Sequence, residues 1–284
     1  MNKSQLKQLT EHVYWFTPDE TTDRPTLGAI VGQTGTLIVD AGNSAAHANL
    51  FLSQLAKNEL PPPKYLVLTH WHWDHVFGTA AFNVPSFASQ ETKRIVEEMA
   101  QWDWSDEALD QRVEAGIEIE FCRDMIKKEL PDRSSLTIKP PDIAFTHEID
   151  IDLGNINCRI IHVGGDHAPD ASIVHIPQEK VVILSDCLSE DLYQNPHTYT
   201  TQKLFPLLDK ILSLKADFHL LGHHDEPISS AEMLEDVAYL RTIGQKVEEV
   251  GKNRDRIVSE LKEAFARPLN EDDLETVDAF LAGL

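Results

Sequence analysis

Leu68-Thr69-His70-Trp71-His72-Trp73-Asp74-His75 places three imidazoles and a carboxylate within six residues, directly after the apolar run Tyr65-Leu66-Val67-Leu68. An apolar run of that length reads as a buried strand. His70 and His72 are two apart, so at an extended strand end they face one side and can share a metal ion. Asp74 and His75 fall where the chain turns toward a helix, within reach of a second ion beside the first. Burying four such side chains without a metal would leave several polar groups short of partners. The stretch outlines a dinuclear site.

His70-x-His72-x-Asp74-His75 resembles the H-x-H-x-D-H motif of the metallo-β-lactamase-fold hydrolases. Three further segments resemble that family's later motifs, in the same order: Gly165-Asp166-His167-Ala168-Pro169, Leu184-Ser185-Asp186 and Leu221-Gly222-His223. The resemblance covers residues 70 to 223. It implies a four-layer αββα sandwich in an α/β fold, with His70, His72 and His167 on one ion, Asp74, His75 and His223 on the other, and Asp186 bridging. His224 is the rival to His223, which is preferred for the glycine before it. Zinc suits these donors, and iron or manganese can occupy the same set. The family's bridging hydroxide would attack a carbonyl, with Asp74 orienting it. The resemblance also implies that Asp40, ending the run Thr36-Leu37-Ile38-Val39, orients a ligand histidine; a turn aspartate before Gly42 is the alternative.

The remaining chemistry is less defined. Tyr193, seven residues past Asp186, is a candidate to polarise the carbonyl or protonate the leaving group, against an ordinary loop tyrosine; His197 is a weaker candidate. Asp186 stands where the secreted branch with a cysteine ligand would carry that cysteine, although Cys187 is adjacent. No length remains after residue 226 for a flavin-binding domain. What the resemblance leaves is a hydrolase of small thioesters, esters or lactones, like the glyoxalase II and lactonase branches. The alternatives are a single-iron persulfide dioxygenase and a non-catalytic, metal-stabilised binding protein.

Composition narrows the partners. The 284 residues are 42% hydrophobic and 25% charged, which fits a soluble globular chain, and no segment approaches the roughly 20 apolar residues of a membrane span. A formal net charge of −22, from 47 acidic and 25 basic residues, repels phosphate backbones and anionic membranes. Nucleic acid and membrane are therefore not expected partners; a small acyl substrate is. Met1 to Gln8 has no apolar leader-like core, which points to a cytoplasmic protein. Cys122, Cys158 and Cys187 lack close spacing and are expected as buried small hydrophobes.

Working outward, Glu11 to Phe16, Thr26 to Val31 and Thr36 to Asp40 read as strands. Ser44 caps a helix to about Lys57, with His47 expected on its surface, and Pro61-Pro62-Pro63 precedes the metal-bearing strand. Val76 to Ala80 should begin a short helix, and Pro85 to Ala88 a strand. Residues 91–130 read as a helical insertion, with Leu109, Val113, Ile117 and Phe121 at every fourth position. It is expected to wall the substrate site, with Trp102 and Trp104 either lining that wall or packing the insertion onto the core. Ile143 to Ile151, Cys158 to Val163, Ala171 to Ile176 and Lys180 to Leu184 read as strands of a second sheet, His162 and His175 being structural. Residues 1–226 are expected as one domain. Residues 227–284 carry three amphipathic helices, the first with a capping box at Ser229-Ser230-Ala231-Glu232 and the last capped by Asn270, which either pack on that domain or form a homodimer interface.

Overall fold

Alternation along the strands decides the layers. In Leu37-Ile38-Val39 the outer two side chains enter the core between two sheets, while Ile38 enters a separate core beneath helices. Leu66 and Val67 divide the same way. The computed structural model describes residues 4–284. Its first sheet runs in chain order through β1 (Leu6–Gln8), β2 (Val13–Phe16), β3 (Leu27–Gly32), β4 (Gly35–Val39), β5 (Pro63–Val67), β6 (Ser86–Ser89) and β7 (Ile143–Phe145). The second comprises β8 (Glu148–Asp152), β9 (Asn157–His162), β10 (Ser172–Ile176), β11 (Val181–Ser185), β12 (Phe218–Leu221) and β13 (Ile228–Ser229), neighbours in chain order. Between them lie Trp15, Leu37, Val39, Val67 and Phe87 from one sheet and Ile160, Val174, Ile176 and Ile183 from the other.

Each outer face carries helices. The first sheet is covered by α1 (Ala45–Lys57), the short α2 (Trp73–Val76), and the insertion helices α3 (Gln90–Met99), α4 (Asp106–Glu114) and α5 (Glu120–Glu129). The second is covered by α6 (Thr201–Ser213), α7 (Ser230–Val250), α8 (Arg254–Phe265) and α9 (Glu271–Ala282), with Leu204, Leu208 and Ile211 meeting Val237, Ile243, Leu261 and Phe280. The layers are αββα, as the motif resemblance implied. No helix among the described residues is long and apolar enough to cross a membrane.

This topology gathers strand ends. β4 and β5 are parallel neighbours in the first sheet, as are β11 and β12 in the second. Asp40 follows β4, His70 to His75 follow β5, His167 follows β9, Asp186 follows β11 and His223 follows β12. Two backbone bonds tie the sheets along this edge, Ser172 N–H to Thr69 O at 2.8 Å and Thr26 N–H to Gly222 O at 2.6 Å.

Several expectations change. The run Ile143 to Ile151 is two strands in different sheets, because the chain crosses between layers at Thr146-His147. The four-residue spacing from Leu109 to Phe121 is not one helix: Gly116 adopts φ +68°, Ala115 to Ile119 form a turn, and Ile117 and Phe121 stand 54% and 51% exposed. His47 is fully buried rather than on the surface, because the first turn of α1 faces the sheet and its ring lies 5.7 Å from Phe16. Burial lowers its pKa to about 3, so it is neutral. β1 and α6 were not expected; α6 carries an internal Pro206 that masks its apolar spacing.

Candidate metal centre

Seven side chains meet where the two sheets abut. Ligand-type atoms of His70, His72 and His167 lie within 4.8 Å of one another, and those of Asp74, His75, Asp186 and His223 form a second such group. Asp186 joins them: its Oδ2 is 3.2 Å from His75 Nε2, 3.4 Å from His223 Nε2, 3.6 Å from His167 Nε2 and 3.9 Å from His70 Nε2. Asp74 Oδ2 sits 3.0 Å from His75 Nε2 and 3.3 Å from His223 Nε2. All the residues named from the motifs are thus brought together. His224 is in neither group.

The outward faces of the imidazoles explain their orientation. His75 Nδ1 is 2.9 Å from Asp40 Oδ2, and His167 Nδ1 is 3.2 Å from the Glu190 carbonyl. His70 Nδ1 is 3.0 Å from Thr69 Oγ1, a hydroxyl that gives its own proton to Asp40 and so can accept one from the ring. His223 Nδ1 faces Asp23 Oδ1 at 3.6 Å. Asp40 also accepts from Thr69 N–H at 2.7 Å and from Ser185 Oγ at 3.2 Å, so it holds both strand ends at once. Asp40 (φ +63°) and Ser185 (φ +50°) adopt the left-handed conformation, which turns each strand end sharply.

The inward faces are different. His70 Nε2, His167 Nε2 and Asp186 Oδ1 are buried and have no hydrogen-bond partner. Native interiors rarely leave such atoms unmade, and here the two nitrogens converge on the other oxygen of Asp186, Oδ2, at 3.9 and 3.6 Å. Imidazoles fixed by an outer acceptor, with inner nitrogens left over, are the arrangement that holds a divalent ion. Charge follows the same division. Burial, followed by His75 beside His70 and His167 beside His72, holds both rings well below the ordinary histidine range, so they stand as neutral donors. Burial alone would also lower His75 and His223, but the carboxylates of Asp74 and Asp186 outweigh it and hold both well above.

A cavity of about 210 Å³ opens beside the cluster, lined on its chemical side by His72, Asp74, His167, Asp186, His223 and Asp23, and walled by Ile119, Phe121, Cys122, Leu192 and Tyr193. The insertion therefore reaches the pocket, but through the turn before α5 and its first residues. Trp102 and Trp104 are not among the lining residues. Trp104 is buried against Phe77 at 4.7 Å and its Nε1–H donates to Met99 O, so the tryptophans pack the insertion onto the core. Tyr193 lines the cavity, with its hydroxyl donating to Glu118 Oε1 at 3.0 Å. His197 lies elsewhere, 3.6 Å from Glu190 in a surface depression with Glu275 and Asp278. The three cysteines are buried and form no disulfide, and Cys187 takes no place in either ligand group.

Reading along the chain missed Thr69, Ser185, Asp23, Glu118 and Gly222. The first two were hidden because small hydroxyls at strand ends are common. Gly222 carried a signal, being noted only as the neighbour of His223: a Cβ there would lie 1.6 Å from Asp186 Oδ1.

Residues 26–223 match the model of the metallo-beta-lactamase superfamily, and the chain belongs to it. That superfamily consists mostly of hydrolases. The chain is 26% identical over 226 residues to a linear primary-alkylsulfatase of Pseudomonas sp. (strain ATCC 19151), a match spanning 72% of this chain and 42% of that one. It therefore spans less than half the length of that curated relative. Among solved structures, a metallo-beta-lactamase from Pontibacter korlensis superposes with a TM-score of 0.60 at 17% identity, over 83% of this chain and 98% of that one. A stereoselective inverting sec-alkylsulfatase from Pseudomonas sp. gives a TM-score of 0.66 at 14% identity, over 99% and 50%. At those identities the structural likenesses show the fold alone.

Proposed function

We propose that this protein is a dinuclear metal-dependent hydrolase of a small, neutral thioester, ester or lactone, with His70, His72 and His167 around one ion, Asp74, His75 and His223 around the other, and Asp186 between them. The observation that carries the reading is the pair of unpartnered inner nitrogens, His70 Nε2 and His167 Nε2, both turned toward Asp186 Oδ2 beside a cavity while the Nδ1 of each ring is held from outside. Divalent ions in such a donor set, zinc by preference with iron or manganese as alternatives, supply Lewis acidity and bring the pKa of water toward neutrality.

The chain's own groups do the rest. Asp74, a carboxylate between the two ring systems at the cavity edge, accepts a hydrogen bond from the attacking water and carries its proton toward the leaving group. Asp40 keeps the His75 ring in the tautomer whose lone pair faces inward. Tyr193 is assigned to the wall rather than to proton donation, because its hydroxyl proton is committed to Glu118. Ile119, Phe121 and Leu192 desolvate the acyl group, and no lysine or arginine is among the residues lining the cavity. With Asp23 also facing in, those walls favour a neutral substrate over an anionic one.

A second reading, a sulfate ester as substrate, is favoured by the likeness to an alkylsulfatase. Elemental analysis of protein purified without chelator, combined with an assay panel of 4-nitrophenyl acetate, an acyl thioester, a lactone and an alkyl sulfate, separates the readings. Two metals per chain and turnover of the carbonyl substrates are expected. Asp186→Ala should lower both metal affinity and turnover at least about a hundredfold, with His224→Ala mild. Turnover of the alkyl sulfate alone selects the sulfate ester. One iron per chain with oxygen uptake on a persulfide moves the assignment to a dioxygenase, and tight metal with no turnover to a binding protein.

A further inference from the structure

Glu118 is a buried acid that the metal chemistry does not use. It stands in the turn between α4 and α5, only 6% exposed, between the exposed Ile117 and the cavity-lining Ile119. Its Oε1 accepts from Ile119 N–H at 2.9 Å and from the Tyr193 hydroxyl at 3.0 Å, across 75 residues of chain. Behind it the Arg112 guanidinium lies 4.6 Å from the Trp104 ring and 5.2 Å from Trp102, with Nε and Nη2 buried and without hydrogen-bond partners. The backbone N–H groups of Ile117 and Glu118 both bond to the Arg112 carbonyl at 2.9 and 3.2 Å, which fixes the turn relative to that guanidinium.

Tyr193 carries this anchorage to the metal cluster. Its ring lies 5.4 Å from His72 and 5.5 Å from Trp71, and the loop that bears it follows directly from Asp186. Tyr193 and Leu192 form one side of the cavity wall, and Ile119, Phe121 and Cys122 form the other. Glu118 to Tyr193 is a hydrogen bond between those two sides, and the Cys122 thiol lies within hydrogen-bond reach of both partners.

We propose that Glu118 is a positioning residue: by holding the Tyr193 hydroxyl it locks the insertion to the loop after Asp186, and so fixes the cavity wall that discriminates among acyl groups. This rests on the hydrolase reading for its consequence in substrate choice, but not for the lock itself. A carboxylate is costly to bury and is retained where it is hydrogen-bonded, and here its bonds span the two halves of one wall. Burial also raises the Glu118 pKa, against the pull of the bonds from Ile119 and Tyr193. The bond is local to the wall. Its loss should therefore appear in substrate binding rather than in the chemistry that follows.

The test uses zinc-loaded full-length protein and two chromogenic esters, 4-nitrophenyl acetate and 4-nitrophenyl butyrate, with hydrogen exchange followed in peptides covering 187–198 and 115–122. Glu118→Ala and Tyr193→Phe should each shift the ratio of kcat/KM between the esters about fivefold, the equilibrium weight of one lost hydrogen bond. The shift should fall mainly on KM, with metal content retained. Both segments should exchange faster, the double variant should resemble either single one, and Glu118→Gln, which keeps an acceptor, should restore the wild-type pattern. Tyr193→Phe keeps the test open if Glu118→Ala does not fold. Wild-type exchange in both single variants overturns the lock, and faster exchange with an unchanged ester ratio overturns its role in specificity. If the wild-type hydrolyses neither ester, the hydrolase reading is what fails, and the exchange measurements with Glu118→Gln still decide the lock.

Discussion

Gly222 shows how closely the site depends on a single missing methyl. Its backbone is not in the left-handed region, so the requirement for glycine is space: a Cβ would fall 1.6 Å from Asp186 Oδ1 and 2.8 Å from its Cγ. The carboxylate that lies closest to four imidazoles is the one that would be pushed. Gly222→Ala should therefore lower metal affinity at least about tenfold while leaving the fold intact, an effect of the size seen when a ligand's supporting contacts are lost. Competition with a chromophoric chelator measures it, and wild-type affinity would show that Asp186 does not bridge. His70, His72, Asp74 and His75 were legible in the sequence because their types are chemically rare at that spacing, whereas His167, Asp186 and His223 were legible only through the resemblance of their segments to the family's later motifs. Asp23, Thr69 and Ser185 were not, since what marks them is a partner 29 to 200 residues distant in the chain, such as Asp40 for Thr69 and His223 for Asp23.

The helical insertion was legible as an element and misread in its interior. A four-residue spacing from Leu109 to Phe121 is what one helix would show, yet Gly116 interrupts it and the two apolar residues beyond the break are exposed. Periodicity reports that apolar residues recur; it does not report which surface they meet. The division of labour between aromatic residues follows. Trp104 is enclosed by Phe77, Trp102 and the Arg112 guanidinium, whereas Phe121 stands at the cavity wall. Trp104→Ala should cost about 3–5 kcal/mol of stability in denaturant unfolding and leave the ranking of ester substrates unchanged. Phe121→Ala should do the reverse, altering the ranking with little change in the unfolding midpoint. The opposite pattern would mean that the tryptophans, not the α5 terminus, shape the pocket. Likewise the strand run at Ile143 to Ile151 was read as one element because the turn at Thr146-His147 has no glycine or proline to announce it.

Across the whole molecule, acidity and burial meet at Asp170. The chain carries a formal net charge of −22, so raising the pH adds charge to an already repulsive surface, and a decline of stability toward alkaline pH is expected on that ground alone. Asp170 adds a specific contribution. It is fully buried where the first sheet's helix α3 meets the second sheet, its carbonyl accepts from Ser89 Oγ at 3.2 Å and Thr92 Oγ1 at 3.3 Å, and neither carboxyl oxygen has a conventional hydrogen bond. Burial raises its pKa from an ordinary 3.8 to about 7, the neighbouring Thr92 hydroxyl offsetting only part of the effect. A carboxyl whose folded pKa is raised binds its proton more tightly in the native state. Its contribution is complete below the unfolded pKa and is lost as the pH climbs through the folded one, here from about pH 4 to beyond 7. A rise from 3.8 to about 7 amounts to on the order of 4 kcal/mol across that window. Asp170→Asn removes the titration but not the surface charge. The stability difference between the variant and the wild type should therefore move steadily in the variant's favour between pH 4.5 and 8, whatever its value at the acidic end. Urea unfolding of the metal-loaded proteins at several pH values measures this difference. Parallel curves would mean that Asp170 is solvated or paired as an anion, and that general repulsion alone accounts for the alkaline decline.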